Sequence, residues 1–129
     1  MAYPGYTGPI DVSGSVTVSF PRTGSLQFAF ELDGLEENCV DCGIHIHTGT
    51  TCSVASEVGG HYFREGTVDP WTTAGGAVYN SDGNGEAMGV FSVTSGFDTY
   101  EENLGHAVVI HAQDGTRLAC GILVAGELI

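Results

Sequence analysis

Two runs of strict alternation constrain this chain more than any other feature. Ile10, Val12, Val16, Val18 and Phe20 occupy even positions, with Asp11, Ser13, Ser15, Thr17 and Ser19 between them. Leu26, Phe28, Phe30 and Leu32 repeat the pattern up to Asp33-Gly34. Side chains of a strand alternate between faces, so a period of two calls for half-buried β-strands. Pro21-Arg22-Thr23-Gly24 reads as the turn of a hairpin joining the two runs. Further strands are expected over residues 43–47, 87–93, 107–111 and 118–124, with Gly89 at a bulge. Asp82-Gly83-Asn84-Gly85 and Asp114-Gly115 are turn signals. No stretch carries a 3.6-residue period, and the 20 glycines interrupt nearly every window, so no helix is expected. Residues 48–83 lack clean alternation, and a loop of that length in a compact domain is functional or tied down. The pattern predicts one all-β domain over residues 1–129, a Greek-key β-barrel or immunoglobulin-like sandwich of roughly seven or eight antiparallel strands.

Composition excludes several partners. Three Lys plus Arg against 16 Asp plus Glu give a formal charge of -13. Nucleic acid needs a basic patch, and anionic membrane recruits Lys and Arg, so neither is an expected partner. No run approaches the roughly 18 apolar residues of a membrane span. Cysteines stand at Cys39, Cys42, Cys52 and Cys120. An even number in a small Gly-rich chain favours disulfides and an extracellular or secretory setting, with the pairing open among three connectivities. The rival reading is a zinc or redox CxxC at Cys39-Val40-Asp41-Cys42. A four-thiolate zinc site shows two such pairs, and a redox CxxC opens a helix, whereas Gly43-Ile44-His45-Ile46-His47 reads as strand.

Histidines carry the chemistry. His45 and His47 share one strand face, with Ile44 and Ile46 on the other. His111 stands opposite in parity to Val108 and Ile110. The aliphatic face enters the core, which leaves these imidazoles on the outer wall. Gly59-Gly60 lets the backbone turn and place His61. His106, five positions from His111, points the other way and stays out of the site. An HxH pair alone is a weak signal, equally read as two solvated histidines. Together with His61 and His111 it is a nitrogen-rich set of the kind that binds copper, zinc, iron or nickel.

The run Gly43-Ile44-His45-Ile46-His47, then Cys52, Gly60-His61-Tyr62-Phe63, Val108-Val109-Ile110-His111 and Gly115-Thr116-Arg117-Leu118-Ala119-Cys120-Gly121 resembles copper/zinc superoxide dismutase in order and spacing. The resemblance implies that His45, His47, His61 and His111 bind copper, with His61 in the place of the family's metal-bridging histidine. It implies that Arg117 attracts superoxide and that Cys52 pairs with Cys120. Cys39 and Cys42 have no counterpart; a local bond between them is expected, with two free thiols as the alternative.

Departures from the family are as informative. No histidine lies between Tyr62 and Gly105, so the zinc site of the two-metal enzymes looks absent, and only residues 112–116 separate His111 from Arg117. Both features resemble the copper-only branch, which includes tandem-repeat proteins, and imply copper without zinc. They fit one repeat of a longer protein, with neighbouring repeats as partners. The family's first strand looks short or missing, since Tyr3-Pro4-Gly5-Tyr6 is a poor strand. Without zinc a carboxylate should orient His61, and Glu65, Asp69 and Asp114 are the candidates, Asp114 doubling as a turn cap. The expected activity is dismutation of superoxide to oxygen and hydrogen peroxide, with Arg117 and His61 as its catalytic residues. The alternatives are a copper-sequestering module, which has no use for Arg117, and a structural repeat that has lost function.

Overall fold

A computed structural model describes residues 1–21 and 24–125. Among the described residues seven strands form two antiparallel sheets. One holds β1 (Ser13–Ser19), β2 (Leu26–Asp33) and β5 (Ala87–Val93) in the order β1-β2-β5. The other holds β3 (Cys42–Ile46), β4 (Val78–Tyr79), β6 (Ala107–His111) and β7 (Arg117–Ile122) in the order β4-β3-β6-β7. The result is a Greek-key sandwich, with no closed barrel among the described residues. Arg22 and Thr23 of the expected hairpin turn lie outside the described residues, as do residues 126–129.

Alternation translates directly into burial. Along β2, Leu26, Phe28, Phe30 and Leu32 are buried, while Gln27, Ala29, Glu31 and Asp33 face solvent. Ile44, Ile46, Val108, Ile110 and Ala119 of the second sheet meet them in the core. Full burial of such a side chain stabilises the fold by roughly 1.5–3 kcal/mol. Val16 and Val18 of β1 are only half-buried, because β1 is an edge strand.

Two expectations are corrected. Gly89 is not at a bulge: β2 and β5 stay in register through Phe30↔Gly89. A Cβ there would lie 3.0 Å from the Phe30 ring, so the glycine makes room for an aromatic side chain. The register shift falls instead between Ile110 and His111, where His111 pairs with Arg117 and Ala119 pairs with Ile110. Two short helices also occur, α1 (Ala55–Val58) and α2 (Tyr100–Asn103). Four residues are too few to show a period, although Thr99 caps α2, its hydroxyl accepting from the Glu102 amide.

The long loop of residues 48–83 is tied down. It contains α1 and β4 and is joined to β7 by the Cys52–Cys120 disulfide. Trp71, 1% exposed, packs edge-on against Phe28 at 5.7 Å and donates from its indole to the Tyr62 carbonyl. Cys39 and Cys42 form a second disulfide beside β3. Ala2 bridges to Ala119, the only trace of a strand in the opening segment among the described residues.

Candidate metal centre

β3 and β6 lie side by side, with His45 opposite Val109 and Ile44 opposite Ile110. Ile44, Ile46, Val108 and Ile110 fill the core, and the outer face carries Val109 together with His45 and His111, whose ring centres are 4.4 Å apart. His47 follows β3 and bridges to His61, while the Tyr62 amide donates to the Ile46 carbonyl. Ring centres of His61 lie 4.5 Å from His45 and 5.2 Å from His47. The four imidazoles, drawn from positions 45 to 111 of the sequence, thus gather so that His45 and His47 each lie 4.4 to 6.3 Å, centre to centre, from the other rings.

These rings are on the outside of the sheet but largely covered, with His61 partly exposed. His47 is fully buried and His111 nearly so, because the loop of residues 48–83 folds over them. The expectation of imidazoles on an outer wall is right about the face and wrong about its cover.

Each ring has one nitrogen assigned by its surroundings. His47 Nδ1 donates to the Gly59 carbonyl at 2.8 Å, which leaves Nε2 buried with no partner. His45 Nδ1 is likewise buried and unpartnered, while its Nε2 edge lies against Gly43, where a Cβ would come within 2.5 Å. His111 Nδ1 faces the Gly43 carbonyl at 3.4 Å. His61 Nδ1 donates to Asp69 Oδ2 at 2.7 Å. Buried polar atoms without a partner are costly. Two of them, on converging imidazoles, fit a site built to bind a metal ion. Ligand nitrogens of His45, His47 and His61 all lie within 4.8 Å of one another, and His111 closes on them through its contact with His45. Neutral imidazoles suit copper or zinc.

Burial keeps the rings neutral. Desolvation, then the neighbouring His111, His61 and His47, push the His45 pKa down to about 2. Desolvation also lowers His47 and His111 to about 4, against a partial upward pull from their carbonyl partners. Arg117 contributes to the depression at all three. It reaches this face because the register shift skips Leu118 and sets Arg117 directly across from His111. Bulges commonly re-aim a side chain in this way.

Of the three carboxylates considered for His61, the structure places Asp69 there. Its second oxygen accepts from the Trp71 amide at 2.9 Å, so both oxygens are used. Asp114 instead accepts from the Thr116 amide and caps the turn, and Glu65 is exposed. His106 stays out of the cluster, stacked on Tyr62 at 3.9 Å. Sequence reasoning missed Gly43, which seats His45 and faces His111, and it missed Tyr3, whose hydroxyl accepts from Arg117 at 2.7 Å. The small residue two before His45 was the available signal for the first; the second spans 114 positions and left none.

Glu36, Cys39 and Cys42 also bring ligand atoms within 4.8 Å, but there the sulfurs are joined to each other. No helix among the described residues is long and apolar enough to cross a membrane. A search of curated proteins finds no match. The family model for copper/zinc superoxide dismutase (SODC) matches residues 12–123, which include every histidine of the cluster, Asp69 and Arg117. Converging neutral imidazoles on a Greek-key sandwich and a match over most of the chain lead to one conclusion: the protein belongs to the copper/zinc superoxide dismutase family.

Proposed function

We propose that the chain is a copper-only superoxide dismutase. The observation that carries this reading is the hydrogen bond from His61 Nδ1 to Asp69. That nitrogen is the one a bridging histidine would turn toward a second metal, and here a carboxylate holds its proton. His45 Nδ1 and Nε2 of His47, His61 and His111 would hold copper, which supplies one-electron chemistry for superoxide.

The chain's own residues do the rest. Burial and mutual repulsion keep His45, His47 and His111 unprotonated, so their lone pairs are available at neutral pH. His61 is the half-exposed member, and its Nε2 is placed to take up and return a proton while Asp69 stabilises the resulting imidazolium. Arg117, charged at every relevant pH, attracts the anion beside His111. Among the described residues it forms no ion pair with a carboxylate, so its charge is not neutralised locally.

The same reading makes residues 1–129 one domain, fitting a repeat of a longer protein. Two disulfides are consistent with an extracellular or secretory location. The test is metal content and copper electron paramagnetic resonance after loading with copper and zinc together. One copper per chain, no zinc and an axial nitrogen-ligated signal are expected; zinc bound beside copper would sink the copper-only reading. Arg117→Gln separates an enzyme from a sequestering module: dismutation should fall while copper affinity holds, and sequestration is favoured if neither changes.

A further inference from the structure

We infer that Tyr3 is the positioning residue for Arg117, and that the opening segment of the chain builds the anion's approach. This rests on the dismutase reading for its purpose, though not for its geometry. Arg117 Nη1 donates to the Tyr3 hydroxyl at 2.7 Å, and the guanidinium carbon stands 5.4 Å from the centre of the Tyr3 ring. One phenol thus supplies both an acceptor and a π face to one guanidinium.

Tyr3 is itself anchored. Its amide donates to the Leu118 carbonyl at 3.0 Å, Ala2 bridges to Ala119, and its hydroxyl donates to the Ala55 carbonyl at 3.3 Å. The ring packs against the small apolar cluster of Cys52, Val58, Val109 and Cys120. The phenol is therefore fixed to β7 on one side and to the loop over the metal centre on the other. Arginine carries about 2 kcal/mol of rotamer entropy, and a side chain already ordered loses less of it when an anion arrives. A single bond to Tyr3 leaves most of the five guanidinium N–H donors free.

Charge distribution points the same way. The protein is strongly acidic, yet the open cleft of about 460 Å³ over Arg117, bounded by Tyr3, Pro4, Tyr6 and Thr116, contains no Asp or Glu among its lining residues, whereas the pocket lined by His45 and His111 includes Asp41. An acid-free cleft on this side of Arg117 lets its field reach an incoming anion despite the net charge.

The experiment compares wild type, Tyr3→Phe and Tyr100→Phe. Tyr3→Phe keeps the ring in the apolar cluster and the π face, so it folds; it removes only the hydroxyl. Tyr100 sits on α2 with its ring against Phe20 and does not line the cleft. Azide affinity of the copper-loaded proteins and 15N relaxation of the Arg117 side chain in the metal-free proteins are the readouts. Losing one hydrogen bond of this kind should weaken azide about 3- to 10-fold in Tyr3→Phe and mobilise the guanidinium, with no change in Tyr100→Phe. Unchanged or tighter azide binding, or an Arg117 equally rigid in Tyr3→Phe, would overturn the inference. A wild type that binds azide through Arg117 but fails to dismutate superoxide would instead refute the dismutase reading and leave the role of Tyr3 standing.

Discussion

Replacing Asp69 tests the metal centre in a way that separates orientation from packing. Asp69 presents two acceptors to two donors, His61 Nδ1–H at 2.7 Å and the Trp71 amide at 2.9 Å. Asn has the same shape but one acceptor. If its oxygen stays with the Trp71 amide, its NH2 meets His61 Nδ1, and the ring relieves the clash by moving its proton to Nε2, the atom needed for metal. If the amide turns over, the clash moves to Trp71. A hydrogen bond to a charged group is worth about 1.5–3 kcal/mol, which is roughly 10- to 100-fold in affinity, the range also found for partners of metal-bound histidines. Asp69→Asn should therefore weaken copper about 10- to 100-fold. Asp69→Ala removes more atoms yet imposes no wrong tautomer, so it should weaken copper less. The assay is built into the protein: Trp71, its one tryptophan, is buried 6.1 Å from the His45 ring, so bound Cu(II) quenches its emission. Titration against a competing chelator gives the affinity. An Asn variant that binds like wild type, or an Ala variant weaker than Asn, would refute the argument that Asp69 sets the tautomer of His61.

Three further outcomes are expected. Replacing Cys52 and Cys120 together with Ser opens a loop spanning 68 positions, which costs about 4 kcal/mol on the chain-entropy model and should appear as a lower urea midpoint; an unchanged midpoint contradicts it. Metal-free protein should lose stability as pH falls from about 6.5 towards 4. His47 and His111 are held near 4 in the fold by burial, so the unfolded chain binds more protons across that window and is favoured there, by on the order of 3 kcal/mol for either ring alone. Urea midpoints at pH 7.5, 5.5 and 4.5 check this, and a flat series counts against it. Raising ionic strength should raise the dismutation rate or leave it flat, because a net charge of -13 repels superoxide beyond the roughly 8 Å over which physiological salt leaves Arg117 unscreened. A steep fall in rate with salt would contradict that picture.

Strand content and the histidines were legible because both rest on parity. A strand exposes every second residue, so the alternation of Leu26, Phe28, Phe30 and Leu32 announces its own buried face, and the offset of His45 and His47 from Ile44 and Ile46 announces the other. The glycines gave less. Gly89 reads locally as a bulge, but its reason is the Phe30 ring on the neighbouring strand. β4 and the two short helices went unseen because two to four residues cannot display a period, and they are held by packing and capping.

Residue types and their order along the chain were enough to name the candidate ligands, the family resemblance and the approximate sheet. Pairings across long separations belonged to the folded molecule alone. Glu65, Asp69 and Asp114 were all open candidates for His61 in the sequence, and only the path of the loop through Trp71 put Asp69 on its nitrogen. Skipping Leu118 in the β6–β7 register turned Arg117 onto the face of His111, and the anchoring of Ala2 and Tyr3 on β7 brought a phenol to it from 114 positions away. Local preference sets which face a side chain takes within its own strand; which neighbours it meets there depends on the register and closure of distant segments, and those are settled by packing the whole domain at once.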